Sequence, residues 1–337
     1  MCEPDVILTG FADEGSESKR AEEQLTLMAG LGLSYYSIRF IDMGDGTKNA
    51  MALTDDEIAR LRKLHRAYDI RVSSIGSPIG KVKLADIDDG TANQFIPFDE
   101  YLAGDVQRAI RLAHEFETKL IRGFSFYPPK GSDPKDYFDQ AVDQIGAIAE
   151  TCESAEVIYG LEVEANLIGH DGDSMAAIYE KVDHPNMFLI YDAANILVQH
   201  GSREKTVDSY HKMKPGLGWL HIKDYKVDSS LEWKGHVDEE MLKNFLPADI
   251  GDSGHDEVFL DLKSFIPELK QRLAPHDVPG LFLDLEPHLK GGGQFGGFSG
   301  PDGMGVALRG LCNCLDQAGI TYQLRDYSNI ERLKSSG

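Results

Sequence analysis

Four acidic or histidine side chains stand late in apolar segments between residues 159 and 288. Glu164 lies in YGLEVEAN, Asp192 in MFLIYD, His221 in GWLHIKD and Glu286 in GLFLDLE. Three carboxylates brought together away from water raise each other's pKa and destabilise the fold unless a cation offsets their charge. The set therefore predicts a site for one divalent metal ion. Its mostly oxygen donors favour manganese, with magnesium, cobalt and zinc also compatible.

The elements that must position these side chains follow an alternating pattern. Apolar, β-branched segments alternate with stretches of helical periodicity, which is typical of βαβ units and a parallel sheet. Eight segments are predicted as strands, the number that closes a (β/α)8 TIM barrel; a doubly wound sheet is the competing architecture. The predicted strands are 6–13, 35–42, 70–76, 120–127, 159–166, 187–195, 218–225 and 280–288. Because catalytic groups of such barrels sit at the C-terminal ends of the strands, the four side chains should converge there.

The connecting segments favour one α/β domain that spans 1–337. Thr54 and Glu57 have the spacing of a capping box, which predicts that a helix starts there. The interval between the seventh and eighth predicted strands is longer than one helix needs, so 228–248 is interpreted as a partly helical insertion that could cover the barrel mouth. The glycine-rich run 291–305 lacks the lysine pattern of a P-loop, and we interpret it as a substrate-covering loop rather than a phosphate site.

The composition argues against several classes of protein. Apolar residues make up 42% of the 337 residues, but no apolar run approaches the roughly 20 residues of a membrane-spanning helix. The formal net charge of −22 repels nucleic-acid phosphates, so no nucleic-acid partner is expected. The acidic N-terminal stretch lacks the features of a signal peptide, and the four cysteines are scattered. A cytoplasmic location is therefore expected.

The strand-end segments resemble those of a known superfamily. LEVEAN, LIYDAAN, LHIKD and LDLEPH resemble the metal-binding strands of the xylose-isomerase-like TIM barrels, which include the sugar phosphate isomerase/epimerase family, and the likeness extends from about residue 6 to about residue 322. In that family the four matching positions are Glu, Asp, His and Glu, and all four types are present here. One departure is Asn195, where relatives often have a histidine, and it argues against a second or third metal ion.

The resemblance implies a metal-dependent sugar isomerase or epimerase. Such enzymes act on a keto- or aldo-sugar by proton transfer through an enediolate, with the metal polarising the carbonyl. Carried over residue by residue, Glu164 and Glu286 would be the acid/base pair as well as ligands, while Asp192 and His221 would be ligands only. The further candidates for substrate contacts are Glu162, Lys223, His288 and Arg39. From the residues alone, Glu162 could equally pair with a neighbouring cation, and Arg39 could only balance the acids of the site.

Other functions on the same scaffold stay open to different degrees. A metal-dependent lyase or dehydratase, acting by β-elimination on an inosose or a 3-keto-glycoside, shares the first proton abstraction and is the main alternative. An abasic-site endonuclease is disfavoured because the third predicted strand offers no histidine and the charge is strongly negative. A binding protein without activity is disfavoured by the intact set of four residues. The expected partner is therefore a small sugar-like molecule, and the resemblance also allows a homo-oligomer.

Overall fold

The computed structural model describes residues 3–290, 298–326 and 328, and a parallel sheet of eight strands forms its centre. Each strand lies within or next to one of the segments that the sequence predicts. The strands are β1 (Val6–Gly10), β2 (Tyr35–Ile38), β3 (Arg71–Ile79), β4 (Leu120–Gly123), β5 (Ile158–Glu162), β6 (Met187–Asp192), β7 (Leu217–Ile222) and β8 (Leu281–Leu285).

The sheet closes into a barrel. Parallel ladders join β2 to β3 and continue in chain order to β8, which pairs with β1. A single parallel bridge between Phe11 and Ser37 links the ends of β1 and β2 and completes the circle. The predicted (β/α)8 barrel is therefore confirmed, and the doubly wound alternative is wrong. Most strands end earlier than predicted, because the polar residues at their C-terminal ends leave the ladder and turn into loops.

Helices surround the barrel. The capping box predicted at Thr54 is formed: its hydroxyl accepts from the Glu57 backbone N–H at 3.3 Å, and the Glu57 carboxylate accepts from the Thr54 N–H at 2.8 Å. The longer helices are Ala21–Gly30, Asp55–Tyr68, Gln107–Glu115, Phe138–Ser154, Gly172–Val182, Ala193–His200, Arg203–Met213, His255–Leu273 and Gly300–Ala318. Across the described residues, every helix is too short or too polar to span a bilayer.

Large side chains fill the lower barrel interior beneath the polar strand ends. Trp219 on β7 is buried against Gly160 on β5, where an added Cβ would lie 1.9 Å from the indole ring. Tyr159, the neighbour of Gly160 on β5, faces the surrounding helices and is buried against Gly123 on β4. Because the Trp219 ring occupies the space that Gly160 leaves, the barrel interior is packed below its polar end. Trp219 lies two residues before His221 and therefore supports the polar layer from below.

The segment predicted as an insertion contacts loops around the C-terminal end of the barrel. Asp224–Tyr225 pairs antiparallel with Phe245–Leu246, and a short helix, Glu239–Leu242, lies between them. The Asn166 amide, after β5, donates to the Gly235 carbonyl at 2.6 Å. A separate small apolar cluster packs the segment against the helix that follows β6; its buried members are Ala194, Leu197, Val198, Tyr225, Met241 and Phe245. Part of the glycine-rich run, 291–297, lies outside the described residues.

Candidate metal centre

Four side chains from four adjacent strands converge at the C-terminal end of the barrel. Glu162 is the last residue of β5, Asp192 is the last residue of β6, His221 lies near the end of β7, and Glu286 follows β8 directly. Each offers a ligand atom, and these atoms all lie within 4.8 Å of one another. All four side chains are buried, and none is more than 4% exposed as a residue. The arrangement has the number and kind of donors that a divalent cation requires.

The predicted ligand Glu164 is not in this group, and Glu162 takes its place. Both residues share the same parity in the sequence, but β5 leaves the sheet after Glu162. The backbone then turns, and the Glu164 N–H donates to the Gly169 carbonyl at 3.2 Å. The Glu164 side chain is 31% exposed and pairs with Lys81 Nζ at 2.7 Å. We therefore correct the candidate ligand set to Glu162, Asp192, His221 and Glu286.

Asn195 orients two of the candidate ligands. Its backbone N–H donates to Asp192 Oδ1 at 3.0 Å, since Asp192 is the N-cap of the helix Ala193–His200. Its side-chain amide donates to Glu162 Oε1 at 3.3 Å and to the Val163 carbonyl at 3.1 Å. The other oxygen of Asp192, Oδ2, is buried and lies 3.0 Å from Lys223 Nζ. Asn195, which departs from the family pattern, therefore orients Asp192 and Glu162 and is not itself one of the candidate ligands.

Two buried arginines each bind one carboxylate oxygen of Glu286 or Glu162, called here the outer oxygen. The other oxygen of each glutamate, together with Oδ2 of Asp192, is called an inner oxygen. Arg39 donates to Glu286 Oε1, and Arg122 Nη1 lies 3.4 Å from Glu162 Oε2. Both guanidinium groups stack on the ring of Phe11, with Cζ 4.5 and 4.9 Å from the ring centroid. Sequence analysis missed Arg122, although an arginine inside an otherwise apolar strand is itself a signal. Because the arginines occupy the outer oxygens, Oε2 of Glu286 and Oε1 of Glu162 remain directed toward His221.

His221, near the end of β7, and Lys223, directly after β7, face the inner oxygens. His221 Nδ1 lies 3.1 Å from Glu162 Oε1 and 3.7 Å from Glu286 Oε2, yet neither ring nitrogen makes a hydrogen bond. Lys223 Nζ lies 3.0 Å from Asp192 Oδ2 and 3.3 Å from Glu286 Oε2. Buried ring nitrogens without a hydrogen bond cost free energy unless a further group binds one of them. A metal ion held by His221 and the neighbouring carboxylates would remove that cost for His221.

Burial and neighbouring charges shift the pKa values of these groups in opposite directions. Burial raises the pKa of Asp192 against the attraction of Lys223. Burial would also raise the pKa of Glu162, but His221 and Arg122 outweigh it and lower that pKa to about 2. For Glu286, Lys223 and Arg39 outweigh burial and hold the pKa well below its usual range. Both glutamates are therefore ionised at neutral pH, as ligands and bases must be.

The described network around the site carries an excess of negative charge. Side chains less than a tenth exposed include five carboxylates and the three lysine and arginine side chains that contact them, so carboxylates outnumber these cations at the site. A bound cation would offset part of this negative charge. The carboxylates are Asp13, Glu14, Glu162, Asp192 and Glu286, and the cations are Arg39, Arg122 and Lys223.

A second histidine–glutamate pair, His288 and Glu14, adjoins Glu286. His288 Nδ1 lies 2.8 Å from Glu14 Oε1, and its backbone N–H donates to Glu14 Oε2 at 2.9 Å. Ligand atoms of Glu14, Glu286 and His288 lie within 4.8 Å of one another. Arg39 Nη2 also contacts Glu14 Oε1 at 3.3 Å and Asp13 Oδ2 at 3.1 Å. Arg39 therefore already pairs with these acids, and His288 is held at the edge of the site.

Comparisons with known proteins agree with the barrel fold. A family profile described as xylose isomerase-like TIM barrel matches residues 25–276. A search of curated proteins finds no match. Among solved structures, the chain is similar to a xylose isomerase-like TIM barrel protein from Mycobacterium smegmatis in complex with magnesium, at 19% identity and a TM-score of 0.60, covering 94% of this chain and 96% of that chain.

Two further similar structures carry the names of different reactions. One is the probable 3-DHS dehydratase AsbF from Bacillus anthracis, at 18% identity and a TM-score of 0.60, covering 91% of this chain and 98% of that chain. The other is D-psicose 3-epimerase from Clostridium cellulolyticum H10, at 15% identity and a TM-score of 0.57, covering 93% of this chain and 98% of that chain. At these identities the likeness extends to the fold, and the reaction has to be argued from the site.

Proposed function

Because the chain belongs to the xylose isomerase-like TIM-barrel family, we propose that it is a divalent-metal-dependent sugar isomerase or epimerase. The observation that carries the proposal is the convergence of Glu162, Asp192, His221 and Glu286, each with one ligand atom directed into the same space. The oxygen-rich donor set favours manganese, with magnesium, cobalt or zinc as compatible ions. When bound, such an ion would polarise the substrate carbonyl and acidify the neighbouring C–H group.

The two glutamates are the proposed proton-transfer residues. In this scheme Glu162 and Glu286 remove a proton from the carbon beside the carbonyl and return it, while Asp192 and His221 serve as ligands only. Support comes from the arginines: Arg122 and Arg39 bind the outer oxygens of the two carboxylates and fix their orientation. A carboxylate that is ionised and held in place can accept a proton without rearranging.

The proposed substrate is an uncharged polyhydroxylated carbonyl compound rather than a sugar phosphate. Among the described residues, the buried cations at the site are Arg39, Arg122 and Lys223, and all three contact carboxylates. Lys81 at the rim is also paired, with Glu164. A phosphate would therefore have to break an existing ion pair to gain a cationic partner, whereas hydroxyl groups can hydrogen-bond to His288 or Lys223 without doing so. Arg39 is better explained as a counter-ion than as a substrate contact.

A metal-dependent lyase or dehydratase is the second candidate. Elimination begins with the same proton abstraction but also requires a hydrogen-bond donor at the departing oxygen. The observation that favours it is the Glu14–His288 pair, in which a buried carboxylate orients an imidazole at 2.8 Å beside Glu286. The similar structure named as a probable dehydratase indicates that the fold can accommodate such a reaction.

Metal content and solvent proton exchange test the proposal. The purified protein is expected to hold about one divalent ion per chain by plasma mass spectrometry, and the double variant Asp192→Ala/His221→Ala is expected to lose it. Unphosphorylated keto-sugars incubated in D₂O should gain deuterium beside the carbonyl, as followed by NMR. Glu286→Gln, assayed with enough added metal to offset its weaker binding, should abolish this exchange. Appearance of an unsaturated product instead would favour the lyase. Absence of metal after supplementation, or full activity of Glu286→Gln, would refute the scheme.

A further inference from the structure

The Lys223 ammonium lies against the same oxygens that would bind the metal. Asp192 presents Oδ2 to the cluster, because Oδ1 accepts the Asn195 N–H. Glu286 presents Oε2 to the cluster, because Oε1 accepts from Arg39. Lys223 Nζ lies 3.0 Å from the first of these oxygens and 3.3 Å from the second. Two of the three inward carboxylate oxygens are therefore in contact with a cation of the protein itself.

The backbone of Lys223 is fixed, although its side chain is long. His255 Nε2 lies 3.0 Å from the Lys223 carbonyl oxygen and must donate to it, because a carbonyl only accepts. The next residue, Asp224, accepts through Oδ1 from the N–H groups of Tyr225 and Ser253, at 2.7 and 2.9 Å. Four side-chain carbons separate this anchored backbone from the ammonium, so Nζ can shift while the strand stays in place.

We propose that Lys223 is a tethered counter-ion that competes with the divalent metal for Asp192 and Glu286, so that metal binding displaces its ammonium. The inference rests on the proposed function, since it assumes that these residues bind a metal. A divalent ion on the same oxygens would lie within a few ångströms of Nζ, and two cations at that distance in a buried site repel each other strongly. The displaced ammonium would then be free to contact an oxygen of the substrate.

Three consequences distinguish this role from ordinary substrate binding. First, removing the lysine charge should strengthen metal binding, whereas loss of a substrate contact would leave it unchanged. Secondly, it should destabilise the metal-free protein, because Asp192 and Glu286 lose a cation. Thirdly, added metal should restore that stability more in the variant than in the unaltered chain. Each is a property of the protein and the metal alone.

The test is isothermal titration calorimetry of full-length protein with Mn²⁺ after chelator treatment. Lys223→Gln keeps a hydrogen-bond donor for Glu286 but removes the charge, and Lys223→Met removes both. The matched control is Lys81→Gln, because Lys81 is also a cation paired with a glutamate but contacts Glu164 outside the ligand set. We expect Mn²⁺ to bind both Lys223 variants roughly tenfold more tightly, about 1.4 kcal/mol, and the control to match the unaltered chain.

The outcomes separate this inference from the proposed function. Equal or weaker Mn²⁺ binding by a folded Lys223→Gln protein would overturn the inference while leaving the metal site intact. The inference also fails if Lys81→Gln strengthens binding as much as Lys223→Gln, since the effect would then reflect net charge alone. Failure of the unaltered chain and of all three variants to bind Mn²⁺ would overturn the proposed metal site, and the inference with it. Circular dichroism checks that each variant is folded.

Discussion

Exchanging either of two neighbouring glutamates for glutamine tests which one belongs to the metal centre. Glu162 is buried among the candidate ligands, whereas Glu164 is 31% exposed and paired with Lys81. Changes to residues that only support a ligand typically cost 10–100-fold in metal affinity. Removing a ligand charge should cost more, so we expect Glu162→Gln to weaken Mn²⁺ binding by at least about a hundredfold, or about 2.7 kcal/mol. Glu164→Gln breaks a partly exposed ion pair worth about 0–1 kcal/mol and should change Mn²⁺ affinity by less than about threefold.

The two variants are compared by the same calorimetric titration, after circular dichroism has shown that both are folded. They change the same residue type by the same chemistry two positions apart, so each is the control for the other. If Glu164→Gln loses metal while Glu162→Gln retains it, the assignment of Glu162 as the ligand at the end of β5 is refuted. If neither variant changes affinity, the cluster is not the metal site.

Two further predictions concern stability and ligand support. Burial lowers the pKa of His65, which contacts the Tyr36 hydroxyl, to about 4. The unfolded chain, with a histidine pKa near 6.5, therefore binds the proton first as pH falls, so urea unfolding should show a loss of about 2 kcal/mol between pH 7 and pH 5. His65→Gln should remove that loss, and a persistent difference would assign it to another group. Asn195→Ala should weaken Mn²⁺ binding about 10–100-fold because the amide supports Glu162, whereas Asn166→Ala at the rim should not; equal affinities would argue against a supporting role.

Much of the architecture could be predicted from local sequence patterns. Apolar runs interrupted by helical periodicity predicted eight strands, and all eight are present, because a strand buried on both faces must be apolar whatever its neighbours are. The same logic predicted the positions of Asp192, His221 and Glu286, since polar residues that end such runs must lie at the C-terminal rim of the barrel. The capping box at Thr54 was equally local, because its partners are three residues apart.

The choice between Glu162 and Glu164 depended on tertiary structure. Both have the same parity along the strand, so side-chain alternation cannot separate them. What decides is where β5 leaves the sheet, and that depends on its pairing with β6 and on a turn in which the Gly169 carbonyl binds the Glu164 backbone. The turn is local, but the pairing with β6 joins Glu162 to Ile190, which lies 28 residues farther along the chain.

The electrostatic environment of the site was likewise decided by the fold. Arg39, Arg122 and Lys223 come from β2, β4 and β7 or the residues directly after them, and each meets carboxylates carried by other segments of the chain. The sequence by itself determined that acidic groups would gather at one end of a barrel. Only the closed barrel determined which cation meets which carboxylate, because charge interactions act over distances of a few ångströms between residues that are far apart along the chain.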